Sequence, residues 1–140
     1  MAEGDGAFYN NFKEQVMEGE FDLMSDTIKL ALVTGHVPDI DADTQWADVS
    51  GDEEAGAGYV AGGETLAGKS CEQDNANDRA YFDATNVTWT GLDVGTPSHA
   101  ILYDDTHASK LLICYWEVTT PSNGGDYTLE FGANGLFTLT

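Results

Sequence analysis

The sequence predicts a mainly β domain, an antiparallel β-sandwich or barrel-like fold with one N-terminal amphipathic helix. Three observations carry that expectation. Apolar residues recur with a period of two from Thr27 onward, as in "TIKLALVT" and "HAILYDD". The runs are short and are divided by turn-forming clusters, "DTHAS", "TTPSNGGD" and "ANG". Helical period appears only once, near the N-terminus. At 140 residues the chain is the size of a single domain, read as 1–140 with a helix over about 6–18 and a β-rich body over 27–140.

The helix is predicted by "DGAFYNNFKEQVMEGEFD", where Phe8, Phe12 and Val16 fall four apart with Tyr9 and Met17 alongside. Asp5 is the expected N-cap and Gly19 the expected terminator. The two phenylalanines either pack on the domain's own sheet, the default for such a stripe, or lie on a neighbouring subunit. "TIKLALVT" sets Ile28, Leu30 and Leu32 against Lys29, Ala31 and Val33, which reads as a half-buried strand. "GAGYVAGGETLAGKS" reads as strand, tight Gly62-Gly63 turn or bulge, then strand. "RAYFDATNVTWTG" is rich in aromatic and β-branched residues, with a turn near Thr85 and Asn86. "KLLICYWEV" is apolar on both faces, Leu112, Cys114 and Trp116 against Leu111, Ile113 and Tyr115. It is therefore expected to be covered on both sides, by the helix or by another subunit.

Charge narrows the function. There are 25 Asp plus Glu against 5 Lys plus Arg, a net charge of −20. These anions punctuate almost every turn. Dispersed charge of one sign repels itself, and salt screens the repulsion; at molar ionic strength the Debye length is about 3 Å. A domain that is 41% hydrophobic and 11% aromatic is not a disordered acidic tail, so the composition indicates a salt-adapted globular protein. No basic stripe is present to neutralise phosphates, which argues against nucleic acid and anionic membranes as partners. No apolar run approaches the ~20 residues of a membrane span, and "MAEGDGAF" lacks the regions of a signal peptide; a soluble product made inside a cell is expected. Without an export signal, Cys71 and Cys114 are expected as thiols rather than a disulfide, and the "NVT" acceptor at Asn86 as idle.

The most acidic stretch, "DIDADTQWADVSGDEE" (39–54), alternates Asp39, Asp41 and Asp43 as a calcium loop does. An EF-hand needs Gly at loop position 6 and Glu at position 12; here Thr44 and Ser50 stand there. A hydrated acidic loop is the favoured reading, and a looser surface divalent-cation site the alternative; no other cofactor is expected. His36, His99 and His107 are isolated, with no metal-ligand spacing. No nucleophile elbow or Walker loop occurs, and "GAGYVAGG" lacks the lysine and following helix of a phosphate cradle. Carboxylate pairs such as Asp104-Asp105 are too common here to single out a glycosidase dyad. No enzyme is expected. Trp46 beside Asp48 would suit sugar stacking, although a loop tryptophan more often plugs a core edge.

The order of motifs "FYNNFKEQVMEGEFDLMSDTIKLALVTG", "PDID", "GYVAGGETLAGKS", "RAYFDATNVTWTG", "AILYDD" and "LLICYWEV" resembles small virion structural proteins of tailed viruses. The resemblance runs from Phe8 to the final "GLFTLT", and the acidity points to a virus of halophilic archaea. It implies a non-enzymatic capsid decoration, cement or turret subunit located in the virion and assembled in the host cytoplasm. Such a subunit binds the major capsid protein and forms a homo-oligomer, trimer or higher; a tail or receptor-binding component is the alternative. It carries no catalytic residues to transfer. The contact surface is expected from Phe8 and Phe12 on the helix, or from Tyr59, Gly62 and Gly63 at the glycine-rich turn.

Overall fold

The computed structural model of the protein describes residues 6–140, and it is mainly β, as the period-two pattern predicts. Ten strands lie in antiparallel sheets in a sandwich-like arrangement. They are β1 (Gly6–Phe8), β2 (Ile28–Val33), β3 (Glu64–Thr65), β4 (Ser70–Asp74), β5 (Arg79–Asp83), β6 (Val87–Trp89), β7 (His99–Asp104), β8 (Leu112–Glu117), β9 (Tyr127–Leu129) and β10 (Phe137–Leu139). The largest sheet runs β1-β8-β7-β2-β3. A second runs β10-β5-β4, and β6 pairs with β9.

The helix is shorter than the predicted 6–18. Residues 6–8 instead form β1, paired to the edge of β8 with Ala7 opposite Tyr115, and α1 spans Asn10–Met17. The proposed cap Asp5 lies outside the described residues; Tyr9 occupies the N-cap position and gives no side-chain bond. Gly19 does end the helix. At φ 81° it lets its own N–H reach the Val16 carbonyl and the Glu20 N–H reach that of Gln15, the paired closure that a left-handed residue permits. Only part of the expected stripe is buried, for Val16 and Met17 are exposed.

The five-stranded sheet is the centre of the molecule and is covered on both faces. One face carries Leu30, Leu102, Cys114 and Trp116 into the main core, where they meet Phe82 of β5, Trp89 of β6, Leu129 of β9 and Phe137 of β10. The other face presents Ala31, Val33, Ile101, Tyr103 and Leu112 to Tyr9, Val49 and Trp46. Strand β2 is thus buried on both faces rather than half-buried. The cover on its second face comes from the acidic segment.

Strand β8 is covered on both faces within its own domain, but the faces differ from the period-two reading. Leu102 pairs with Cys114 while Tyr103 pairs with Leu112, so Ile113 is an extra residue at a bulge. The bulge puts Ile113 and Cys114 on the same core and turns Leu112 to the opposite one. The glycine-rich stretch also differs. Residues 56–63 form no strand, and only Glu64–Thr65 pairs with β2.

Candidate docking surface and acidic regions

Three regions hold the residues that the sequence singles out. The first is the segment 34–54, which closes over β2, β7 and β8. Its backbone is stitched on by Thr34 N–H to the Asp52 carbonyl, Glu54 N–H to Leu32, Trp46 N–H to Lys110 and Leu112 N–H to Thr44. Trp46 stacks on Tyr103 with ring centroids 4.5 Å apart and planes 10° from parallel, so it plugs a core edge. That contact covers one face of the ring that sugar stacking would need.

Three carboxylates of this segment, Asp39, Asp43 and Asp48, are not merely hydrated; they accept bonds from the segment's own donors, while Glu54 Oε1 is buried and meets none among the described residues. Asp39 Oδ1 takes the N–H groups of Asp41 (3.0 Å) and Ala42 (3.1 Å). Asp43, buried, takes the Asp39 N–H at 2.9 Å and His36 Nε2 at 2.8 Å. His36 Nδ1 reaches Asp52 at 3.1 Å. Asp48 Oδ2 takes the N–H groups of Thr44 (2.9 Å) and Gln45 (3.0 Å) and completes a capping box on α2 (Trp46–Val49). The Thr44 N–H leads the bonds that hold the Asp48 carboxyl below its usual range. Among the described residues no group of three or more acidic, histidine or cysteine side chains is placed to hold a metal ion.

The second region is the glycine-rich turn. Glu53 Oε1 takes the Tyr59 hydroxyl at 2.9 Å and the Gly62 N–H at 2.5 Å. The Tyr103 hydroxyl donates to the Gly62 carbonyl at 2.6 Å. Burial is the main cause that pushes the Tyr59 and Tyr103 hydroxyls well above their usual range. Gly63, at φ 81°, lies so close to β2 that a Cβ would fall 2.1 Å from the Leu30 carbonyl oxygen, which is why glycine stands there. Tyr59, Gly62 and Gly63 therefore clamp the turn onto β2, using their polar groups within the domain.

The third region surrounds β10. This strand pairs with β5 on one side and is the end of its sheet. Two grooves border it, the larger of mixed polarity and the smaller apolar. The larger, about 260 Å³, is lined by β1, Cys114 and residues 134–138. The smaller, about 160 Å³, is lined by Leu23, Cys71, Ala80, Tyr81, Phe82, Phe137 and Leu139. Leu139, which lines the smaller groove, is exposed. Phe8 lines the larger groove and stacks on Phe12 at 5.3 Å and edge-on to Phe137 at 5.1 Å. Phe12 itself is in the main core and presents no surface to a partner. Of the five residues expected to make contacts, the structure sets Phe8 beside β10 and places Tyr59, Gly62 and Gly63 in the turn on β2.

Cys71 and Cys114 are free thiols, one exposed on β4 and one buried on β8. Burial pushes both thiols up. The Asn86 side chain accepts the Phe131 N–H at 2.9 Å, an ordinary structural use. The exposed β10 edge was missed in the sequence, although "GLFTLT" as the last apolar alternation was a usable signal. Comparison with family models, with curated proteins and with solved structures finds no match for this chain.

Proposed function

We propose that this chain is a non-enzymatic structural subunit of a halophilic tailed virus, a decoration or cement protein that binds the major capsid protein and assembles as a homo-oligomer. The observation that carries the reading is β10, a terminal sheet strand bordered by a groove of mixed polarity and a smaller apolar one, with Leu139 exposed beside it. Edge strands and apolar grooves are where a β-domain receives another chain. The charge distribution supports the same division of labour. A domain of net charge −20 tolerates close neighbours of its own sign only where salt screens them, and the two grooves are lined mainly by uncharged residues.

The test is co-sedimentation of the purified protein with empty shells of the source virus in molar KCl. Saturable, stoichiometric binding is expected, with a large loss on Leu139→Asp while the circular dichroism of the variant stays unchanged. Shells that bind nothing, or immunogold label confined to the tail, would overturn the decoration reading.

A further inference from the structure

One corner of the molecule leaves one oxygen of a buried acid without a donor among the described residues. Asp104, at the end of β7, is fully buried. Its Oδ1 takes the N–H groups of Thr106 (2.9 Å) and His107 (3.3 Å) and so closes the turn into β8. Its Oδ2 is buried and meets no donor among the described residues. What stands within hydrogen-bonding reach of Asp104 is another carboxyl, that of Asp26 in the connection between α1 and β2. Two carboxyl acceptors brought together with one of them buried repel unless one carries a proton.

The same connection is tied to the same turn by other bonds. Thr27 N–H donates to Thr106 Oγ1 at 2.7 Å, and Asp105 N–H donates to the Thr27 carbonyl at 2.8 Å. His107 Nε2 lies 3.2 Å from Glu20, a contact that is an ion pair only with the imidazole protonated. The remaining charged groups at this corner are already engaged. Lys69 Nζ bonds the Asp26 backbone carbonyl, and Lys29 and Lys110 hold Asp105. Asp22 Oδ1 takes the Ser25 N–H at 3.2 Å, and Asp26 Oδ2 takes the Asp22 N–H at 3.0 Å. None of these supplies the donor that Asp104 Oδ2 lacks.

We propose that residues 20–26 form a proton-operated latch. Buried Asp104 holds a proton toward the Asp26 carboxyl, and loss of that proton loosens the connection from the β7–β8 turn. The connection carries Leu23, which lines the smaller apolar groove with Cys71, Phe137 and Leu139, and Phe21, which packs edge-on to Phe12 at 5.0 Å. Acid therefore closes the connection over that groove, and higher pH opens it. This inference is independent of the virion reading, because it rests only on contacts within the chain. Burial, followed by the Asp26 carboxyl, raises the Asp104 carboxyl to about 6, so the latch works in a range that cells and their surroundings reach.

The test is amide hydrogen exchange on the full chain in molar KCl, corrected for the intrinsic pH dependence of exchange. Protection at Ser25, Asp26, Thr27 and Thr106 should fall about tenfold or more between pH ~5 and ~8. Asp104→Asn keeps an acceptor for the turn and gives Asp26 a permanent donor, so its protection should stay high across the range. Equal protection at both pH values in the wild type, or the same fall in the variant, overturns the latch. Should Asp104→Asn not fold, a carbon-detected titration of the wild-type carboxyls decides instead. Asp104 must titrate near 6, with the Ser25 and Asp26 amides moving in the same step. A midpoint below about 4.5, the ordinary carboxylate range, refutes the proton held on Asp104.

Discussion

The segment 36–54 and the corner formed by residues 20–27 and 104–110 are both crowded with carboxylates, yet they differ in how many of those acids find donors. The segment carries seven acids over 39–54 and no lysine or arginine, and backbone N–H groups and His36 still serve Asp39, Asp43 and Asp48, with the buried Glu54 Oε1 the exception that meets no donor among the described residues. The corner engages three of the five basic side chains, Lys29, Lys69 and Lys110, and still leaves a buried carboxyl oxygen facing another carboxyl. Formal charge does not decide which region is strained. The supply of correctly aimed donors does, because a buried acceptor without one loses its hydration and gains nothing in return.

The largest expected effect comes from removing a satisfied acid. Asp43→Ala deprives both His36 and the Asp39 N–H of their acceptor and should cost about 3 kcal/mol, since hydrogen bonds to charged groups are worth roughly 1.5–3 kcal/mol each. Denaturant midpoints in molar KCl measure it. A loss under about 1 kcal/mol would mean that the segment's acids serve hydration alone, and the contrast between the regions would disappear.

The corner should respond in the opposite direction. Asp104 has a raised folded-state value, about 6 against an ordinary 3.8. The folded state therefore holds its proton more tightly, and the resulting stability is complete below about 3.8 and is lost as pH rises through about 6. Asp104→Asn is expected to be near-neutral at pH ~4 and stabilising by about 1–2 kcal/mol at pH ~8, where the wild type buries an ionised group. Unfolding curves at both pH values check this, and a variant destabilised at pH ~8 would show that Asp104 finds a donor after all.

A smaller effect sharpens the comparison through the sign of its pH dependence. The Asp48 carboxyl is lowered, chiefly by the Thr44 N–H. Its contribution is therefore present above the unfolded value and is lost as pH falls through the lower folded one. Asp48→Ala removes the capping box of α2 and should cost about 1 kcal/mol at neutral pH. The penalty should shrink in strong acid, the reverse of the Asp104 profile, and a penalty that grows on acidification would place the lowered group elsewhere.

Much of the fold is legible in the sequence because β2, β7, β8 and β10 are short apolar runs divided by turn-forming residues, even though β2, β7 and β8 are buried along nearly their whole length rather than on one face. Strand β1 is not, since "GAF" becomes a strand only by pairing with β8. Strand β4, "SCEQD", is a mostly exposed end strand with no apolar alternation to reveal it. The β8 bulge is hidden because one extra apolar residue in "LLICYWEV" looks the same as continued alternation. The acidic segment misleads by composition; Trp46 and Val49 were the signal that it covers a sheet face. The Asp26–Asp104 contact joins residues far apart in the chain, and no local pattern announces it. The turn chemistry of "DDTH", an acid whose side chain serves the next N–H groups, was visible in principle.

The smallest effect separates surface pairing from buried pairing within the corner itself. Lys29 lies 3.4 Å from Asp105, both partly exposed, and the Asp105 carboxyl is held low, first by the Lys110 bond and also by the Lys29 charge. Exposed or half-exposed ion pairs are worth roughly 0–1 kcal/mol, because two flexible side chains must be ordered and water already solvates both charges. Lys29→Met keeps most of the apolar stem while removing the charge, and should cost about 0.5 kcal/mol at low salt. In molar KCl, with a Debye length of about 3 Å, that cost should fall toward zero. The Asp104→Asn effect should persist there, since the carboxyl is buried away from mobile ions. Measuring both variants at low and molar salt separates the two kinds of charge. If both effects vanish together, Asp104 is reached by solvent and the corner is no different from the rest of the acidic surface.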